Sequence, residues 1–332
     1  MKKNSHLLMR FREKISMETK VIKNNISEIV NLGKDYLKRY NIKNGKHESR
    51  LILSKETSQN EMEMIINNSI SVSDISKKRF LKDIYTRIEG KPVSRILGFR
   101  EFYSRRFYIN KYTLDPRPDS EKMVEIVINL LSRFKKKQIN ILDLGTGSGC
   151  LIISIILEAK KIGKNNLRCL GVDISEDAIK VAKKNKNKYN LLEEVDFFRS
   201  DWFSNVKQKY DIIISNPPYI KTKNIMNLSR SVKSYDPYIA LDGGIEGYDC
   251  FEKISQKLSK FLLKDGFFCV EIDSDQVNTV SSLFIGQNIS STGIYRDLSG
   301  RNRCVVFHNR KNNLKNKINM LKSKFPSCEN SY

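Results

Sequence analysis

Apolar residues in the first third of the chain recur at helical steps. Ile26, Ile29, Val30, Tyr36, Leu37 and Tyr40 fall three, four and seven positions apart, which predicts one face of an amphipathic helix. A mostly helical pattern runs over 24–90 and breaks at Gly90-Lys91-Pro92. Phe102, Tyr103, Phe107, Tyr108 and Ile109 then predict the strands of a small hairpin, ahead of the turn at Pro116-Arg117-Pro118. From 119 onward the two periods alternate. Helices are predicted over 120–134, 150–161, 175–189 and 248–263, and strands over 139–143, 167–173, 195–199, 211–215 and 267–272. Such alternation predicts an α/β domain built on a parallel sheet. Two further strands, over 289–296 and 304–308, predict a closing hairpin. The chain is thus expected to comprise a basic extension (1–23), a small helical domain (24–90), a hairpin linker (91–118) and an α/β domain (119–309). The tail, 310–332, is rich in Lys and Asn and has a composition compatible with disorder.

Two motifs carry chemistry. Asp143-Leu144-Gly145-Thr146-Gly147-Ser148-Gly149 ends a predicted strand and opens a helix. Glycines there let the backbone approach a ligand at the carboxyl edge of the sheet. Asp173 ends the next strand, where a carboxylate can accept hydrogen bonds from both hydroxyls of a ribose. The glycines run G-x-G-x-G after an Asp, and not in the G-x-G-x-x-G spacing that cradles a dinucleotide pyrophosphate. S-adenosylmethionine has no phosphate to cradle, and it is the cofactor this spacing predicts. Asp201 and Trp202 follow the third strand, where a carboxylate can hold the adenine amino group and an indole can cover the ring; Trp202 suits a core position equally well.

Asn216-Pro217-Pro218-Tyr219 follows the fourth strand at the same edge. The prolines fix backbone dihedrals and remove N–H donors, so Asn216 and the carbonyl of Pro217 form a rigid set of acceptors. A planar NH2 group has a delocalised lone pair and must be turned toward a methyl donor by hydrogen bonds from its N–H groups. Asn216, Pro217 and Tyr219 are therefore the candidate catalytic residues, and Asn216, Pro217, Pro218 and Tyr219 the candidate substrate site. Tyr219 is expected to stack on the planar group.

Composition adds less. The chain has 332 residues and a net charge of +23. That charge is compatible with nonspecific nucleic-acid contact, yet the lysines are spread along the sequence as solvated positions would be. Six scattered cysteines lack a C-x-x-C pair, and the three histidines sit near no second ligand, so reduced thiols and no metal are expected. No apolar run reaches the roughly 20 residues of a membrane-spanning helix. The N-terminus fits neither a secretory signal nor a mitochondrial presequence. A soluble, cytoplasmic monomer without a membrane partner is expected.

Flanking motifs decide between substrates. Gly90-Lys91-Pro92-Val93, Gly98, Arg100-Glu101-Phe102 and Pro116-Arg117-Pro118-Asp119-Ser120-Glu121 lie upstream of the glycine loop. Tyr235-Asp236-Pro237 and Ala240-Leu241-Asp242-Gly243-Gly244-Ile245-Glu246-Gly247 lie downstream of Asn216. Together over about 24–307 they resemble the release factor glutamine methyltransferases. The resemblance implies a Rossmann-like class I S-adenosylmethionine-dependent methyltransferase sheet with a small N-terminal helical domain that helps hold the protein substrate. It implies cofactor contacts from Gly145, Thr146, Gly147, Ser148, Gly149, Asp173, Trp202 and Asn216, with Phe102 near the methionine part. It also implies methylation of the side-chain amide of the glutamine in the Gly-Gly-Gln loop of class I peptide chain release factors. Glu271-Ile272-Asp273 departs from the Glu-Ile-Gly usual in that family, as does Asp115 from an aliphatic residue. The alternatives are an N-methyltransferase acting on an exocyclic amino group of RNA or DNA, and a catalytically silent RNA- or ribosome-binding protein.

Overall fold

The structure, a computed structural model, describes residues 24–57, 59–285 and 289–310. The expected extension 1–23 and all but the first residue of the tail lie outside the described residues.

Two compact units divide the chain. One holds the described residues up to Arg100 together with Tyr108–Lys111 and Leu228–Asp236. The other holds Glu101–Phe107, Tyr112–Asn227 and the described residues from Pro237 onward. The stretch expected as a linker, 91–118, is therefore shared out between the units. In the first unit, α1 (Ile26–Arg39), α2 (Gly45–Thr57), α3 (Glu61–Ile66), α4 (Asp74–Ile88) and α5 (Val93–Leu97) enclose one core. Side chains cap three of them: Asn25 accepts from the Glu28 N–H, Asn60 and Glu63 form a capping box, and Ser73 accepts from the Ser76 N–H. Ile26, Ile29, Val30, Tyr36 and Leu37 are buried as their spacing predicts. Tyr40 is not; it is the C-cap of α1 and 41% exposed, because the helix ends one residue before it. The Leu228–Asp236 segment carries a short helix, Arg230–Lys233, and its Asp236 is ion-paired in the interior with Arg95 of α5.

The predicted hairpin forms as β1 (Phe99–Phe102) and β2 (Arg105–Tyr108). Tyr103, expected in a strand, instead makes the turn with Ser104, at φ 49° and 57°. Positive φ at both central residues matches the twist of a two-residue hairpin loop.

In the second unit seven strands form one sheet. In chain order these are β3 (Ile139–Leu144), β4 (Leu167–Asp173), β5 (Val195–Arg199), β6 (Tyr210–Ser215), β7 (Leu262–Glu271), β8 (Ile289–Arg296) and β9 (Asn302–Asn309). Their spatial order is β5-β4-β3-β6-β7-β9-β8, parallel from β5 through β7 and antiparallel for β9 and β8. Both faces are covered. Ile141, Ile212, Ile214 and Cys269 pack beneath α6 (Glu121–Leu131), α7 (Cys150–Lys161) and α8 (Glu176–Lys188). Their alternate neighbours Leu142, Leu144, Ile213 and Phe268 pack against α9 (Asp249–Phe261) and α10 (Val277–Phe284). This doubly covered sheet explains why the central strands read as mainly apolar runs.

Two differences from expectation have local causes. β7 begins at Leu262 and not at 267, because Lys264-Asp265-Gly266 breaks the apolar run while the strand continues through a register shift, with Asp265 at φ 62°. Helix α10 was not anticipated; its buried contribution is two side chains, Val280 and Phe284, too few to show a period.

Candidate active site

Strand order reverses between β3 and β6, which are adjacent and parallel. Chains leave the carboxyl ends of these strands in opposite directions, and a crevice opens there. The glycine loop leaves β3 and Asn216 leaves β6, so the topology alone brings the two motifs together.

The loop from Gly145 to Gly149 is held by its neighbours. The N–H groups of Gly145 and Thr146 both donate to the Val172 carbonyl at 2.9 Å. Gly147 donates to Oδ2 of Asp173 at 2.9 Å, and Ser175 donates to Oδ1 at 2.9 Å. The Asp173 carboxylate thus braces the loop with lone-pair sites to spare. Burial raises its pKa above the ordinary carboxylate value, against these N–H bonds. Asp143, fully buried behind the loop, accepts from the Thr146 hydroxyl at 2.7 Å and is pushed up to about 7 by desolvation. Gly149 serves packing: at φ 77°, a Cβ there would meet Phe197 Cζ at 3.0 Å and Ile153 Cδ1 at 3.2 Å.

The crevice holds a cavity of about 300 Å³, within the size class of small-molecule sites. Of the residues expected at the cofactor, Gly145, Thr146, Gly147, Ser148, Asp173, Asp201, Trp202, Asn216 and Phe102 line it, and Gly149 does not. Trp202 stands at φ 48°, with its carbonyl accepting from the Ser200 hydroxyl at 2.8 Å, so its backbone is turned to bring the indole beside Gly145. Phe102 is 1% exposed, and the turn following it is tied down by Tyr103 N–H donating to Glu121 at 2.8 Å.

Of the candidate substrate residues, Asn216 and Pro218 line the cavity, whereas Pro217 and Tyr219 do not. Pro217 is buried, and the Tyr219 ring packs against the sheet's second core while its hydroxyl donates to Glu271 at 3.3 Å. The Asn216 amide donates to the Ser120 hydroxyl at 3.1 Å, and Ser120 donates to Glu271 at 2.6 Å. Residues with no expected role also line the cavity, among them Tyr112, Arg117, Ser120, Asp249, Cys250 and Lys253. Arg117 and Ser120 belong to a motif already singled out, so their signal was present; the others carry none that spacing reveals. Burial pushes the Cys250 thiol up to about 11, which disfavours the reactive thiolate.

The loop 240–247 explains itself here. Ile220 donates to the Leu241 carbonyl at 3.1 Å, Gly243 returns a bond to the Ile220 carbonyl at 2.9 Å, and Thr222 donates to Gly244 at 3.0 Å. Gln276 clamps the pair, its amide donating to the Tyr219 carbonyl at 3.2 Å and the Gly247 carbonyl at 3.1 Å. Asp273, one of the departures noted above, forms a capping box with Gln276 and so holds that clamp.

Among the described residues, no group of three or more His, Cys, Asp or Glu could hold a metal ion, and no helix is long and apolar enough to cross a membrane. The five described cysteines are free thiols.

Comparison with known proteins gives two family matches, the methyltransferase small domain over residues 124–232 and the PrmC N-terminal domain over 28–98. The release factor glutamine methyltransferase of Buchnera aphidicola is 35% identical, over 81% of this chain and 94% of its own length. That of Agrobacterium fabrum is 34% identical, over 78% and 89%. The bifunctional methyltransferase of Rickettsia typhi is 33% identical over 84% of this chain, but this chain spans only 56% of that protein.

Proposed function

Since the chain belongs to the release factor glutamine methyltransferase family, we propose that it transfers the methyl group of S-adenosylmethionine to the side-chain amide nitrogen of the glutamine in the Gly-Gly-Gln loop of class I peptide chain release factors. The observation that carries this reading is Asn216. Its N–H side is taken up by Ser120, so its Oδ1 is the acceptor left for the cavity.

The residues fit the cofactor. Asp173 keeps lone pairs for two ribose hydroxyls, Trp202 and Phe102 are apolar surfaces on the cavity wall, and no atom lies within 4 Å of the position above Gly147 that a Cβ would take. When bound, S-adenosylmethionine supplies an electrophilic methyl group on a positively charged sulfur that leaves as a neutral thioether. The chain's part is alignment. Oδ1 of Asn216 accepts an N–H of the substrate amide and turns the nitrogen lone pair toward the methyl group. The motif supplies no strong base: Asn216 is neutral, and burial keeps the Tyr219 hydroxyl protonated by raising its pKa far above the usual range. The proton released by the alkylated nitrogen therefore goes to an acceptor outside this motif.

Transfer of labelled methyl to a class I release factor tests this, beside its glutamine-to-alanine variant and bulk RNA. Label on the native factor alone is the expected result. Label on RNA alone would establish the exocyclic-amine alternative, which the relatives named for release factor glutamine do not favour. Asp173→Asn is expected to weaken cofactor binding about ten- to a hundredfold, since charge-assisted bonds to both the loop and the ribose are lost. Isothermal titration of the variant with S-adenosylmethionine checks it.

A further inference from the structure

We propose that Glu271 is a positioning residue for methyl transfer, acting through Ser120 to fix which way the Asn216 amide faces. The inference rests on the amide-methylation reading above and deepens it.

An asparagine amide has two ends of nearly equal shape, one a donor and one an acceptor. In the wrong orientation, Asn216 would present N–H groups to a substrate that itself offers N–H groups, and the site could not align the reacting nitrogen. A hydroxyl alone does not prevent this, because Ser120 could donate to Oδ1 as readily as accept from Nδ2. The carboxylate of Glu271 removes the choice. It sits on β7, 1% exposed, with Oε2 at 2.6 Å from the Ser120 hydroxyl. An ionised carboxylate only accepts, so the single hydroxyl proton of Ser120 is committed to it. What Ser120 then offers Asn216 at 3.1 Å is a lone pair, which demands the N–H side of the amide and turns Oδ1 toward the cavity.

Groups from several elements act on the ionisation of Glu271, in both directions. From the catalytic loop the Tyr219 hydroxyl donates to Oε1 at 3.3 Å. From β9 comes the charge of Arg303, which is shared with Asp297 at 3.1 Å and Asp119 at 3.2 Å. Asp119 acts against ionisation, and Cys304, paired with Glu271 across the β7–β9 ladder, is a thiol kept protonated by burial. Burial pushes Glu271 up to about 7 in spite of Ser120, Arg303 and Tyr219. Below that pH the protonated acid can donate to Ser120, Ser120 can donate to Oδ1, and the orientation is lost. Activity therefore rises with pH through about 7 as the carboxylate ionises.

The experiment combines kinetics with a readout that needs no turnover. Glu271→Gln is expected to lower kcat about ten- to a hundredfold, to leave the cofactor Kd within twofold, and to flatten the rise of kcat across pH 7. In a Ser120→Ala background the same substitution should cost less than twofold, because its route to Asn216 is already cut. An equal loss in both backgrounds would overturn the relay. Independently, the side-chain amide 15N and 1H signals of Asn216 in the native protein should titrate near pH 7, and that step should vanish in Glu271→Gln. Absence of the step in the native protein would also overturn the proposal. If the native chain methylates no glutamine substrate, the functional reading falls, while the amide titration still decides whether Glu271 orients Asn216.

Discussion

Replacement of Asn216 by alanine is expected to lower kcat for methyl transfer about 10²- to 10³-fold, the cost of removing one preorganised hydrogen-bonding group from a site where charge develops. The side chain lies at the end of β6, partly buried, and its amide bonds to Ser120 and not to the sheet. The backbone turn is set by Pro217, Pro218 and the bonds to the 240–247 loop, all of which survive the substitution. Melting temperature should therefore move by no more than a few degrees. The loss should appear mainly in kcat, since the acceptor matters most when the substrate nitrogen must pyramidalise toward the methyl group. Single-turnover rates with saturating cofactor and release factor, beside a thermal melt, check both halves. A variant with near-native kcat would remove Asn216 from the mechanism.

The sequence revealed the sheet and the two motifs for a physical reason: a strand covered on both faces carries few polar positions, so 139–144, 167–173 and 210–215 stand out as mainly apolar runs. The glycine loop and Asn216-Pro217-Pro218-Tyr219 were legible because each breaks such a run at its carboxyl end. Connection within the site was less legible. Tyr219 reads from sequence as a stacking surface, yet in the structure its hydroxyl donates to Glu271. Glu271 and Ser120 lie 151 residues apart in the chain, and nothing local announces that their side chains meet. The same holds for residues 228–236, which interrupt the second unit's sequence but pack in the first, tied by Asp236 to Arg95. Motif spacing reports what one turn needs; it is silent on partners supplied by another strand.

The strongest test of those silent partnerships is Gly243→Ala, at a residue that does not line the cavity. A Cβ at 243 would lie 2.8 Å from the Tyr219 Cα and 2.9 Å from the Pro218 carbonyl oxygen. Both are backbone atoms of the 216–219 turn, so no side-chain rotation relieves the contact, and either the 240–247 loop or that turn must move. The bonds through Ile220 and the Gln276 clamp oppose separation of the two loops. Displacement of the turn by about 1 Å is enough to cost roughly 10²-fold in rate. The expected outcome is a kcat reduced by that order, with cofactor affinity near native because the glycine loop and Asp173 stand at the carboxyl ends of β3 and β4. Titration calorimetry with S-adenosylmethionine and initial rates on the release factor separate the two quantities. Equal losses in both would mean that the 240–247 loop shapes the cofactor pocket as a whole. A selective loss of kcat would assign this family signature the task of holding the asparagine turn in register with the methyl group.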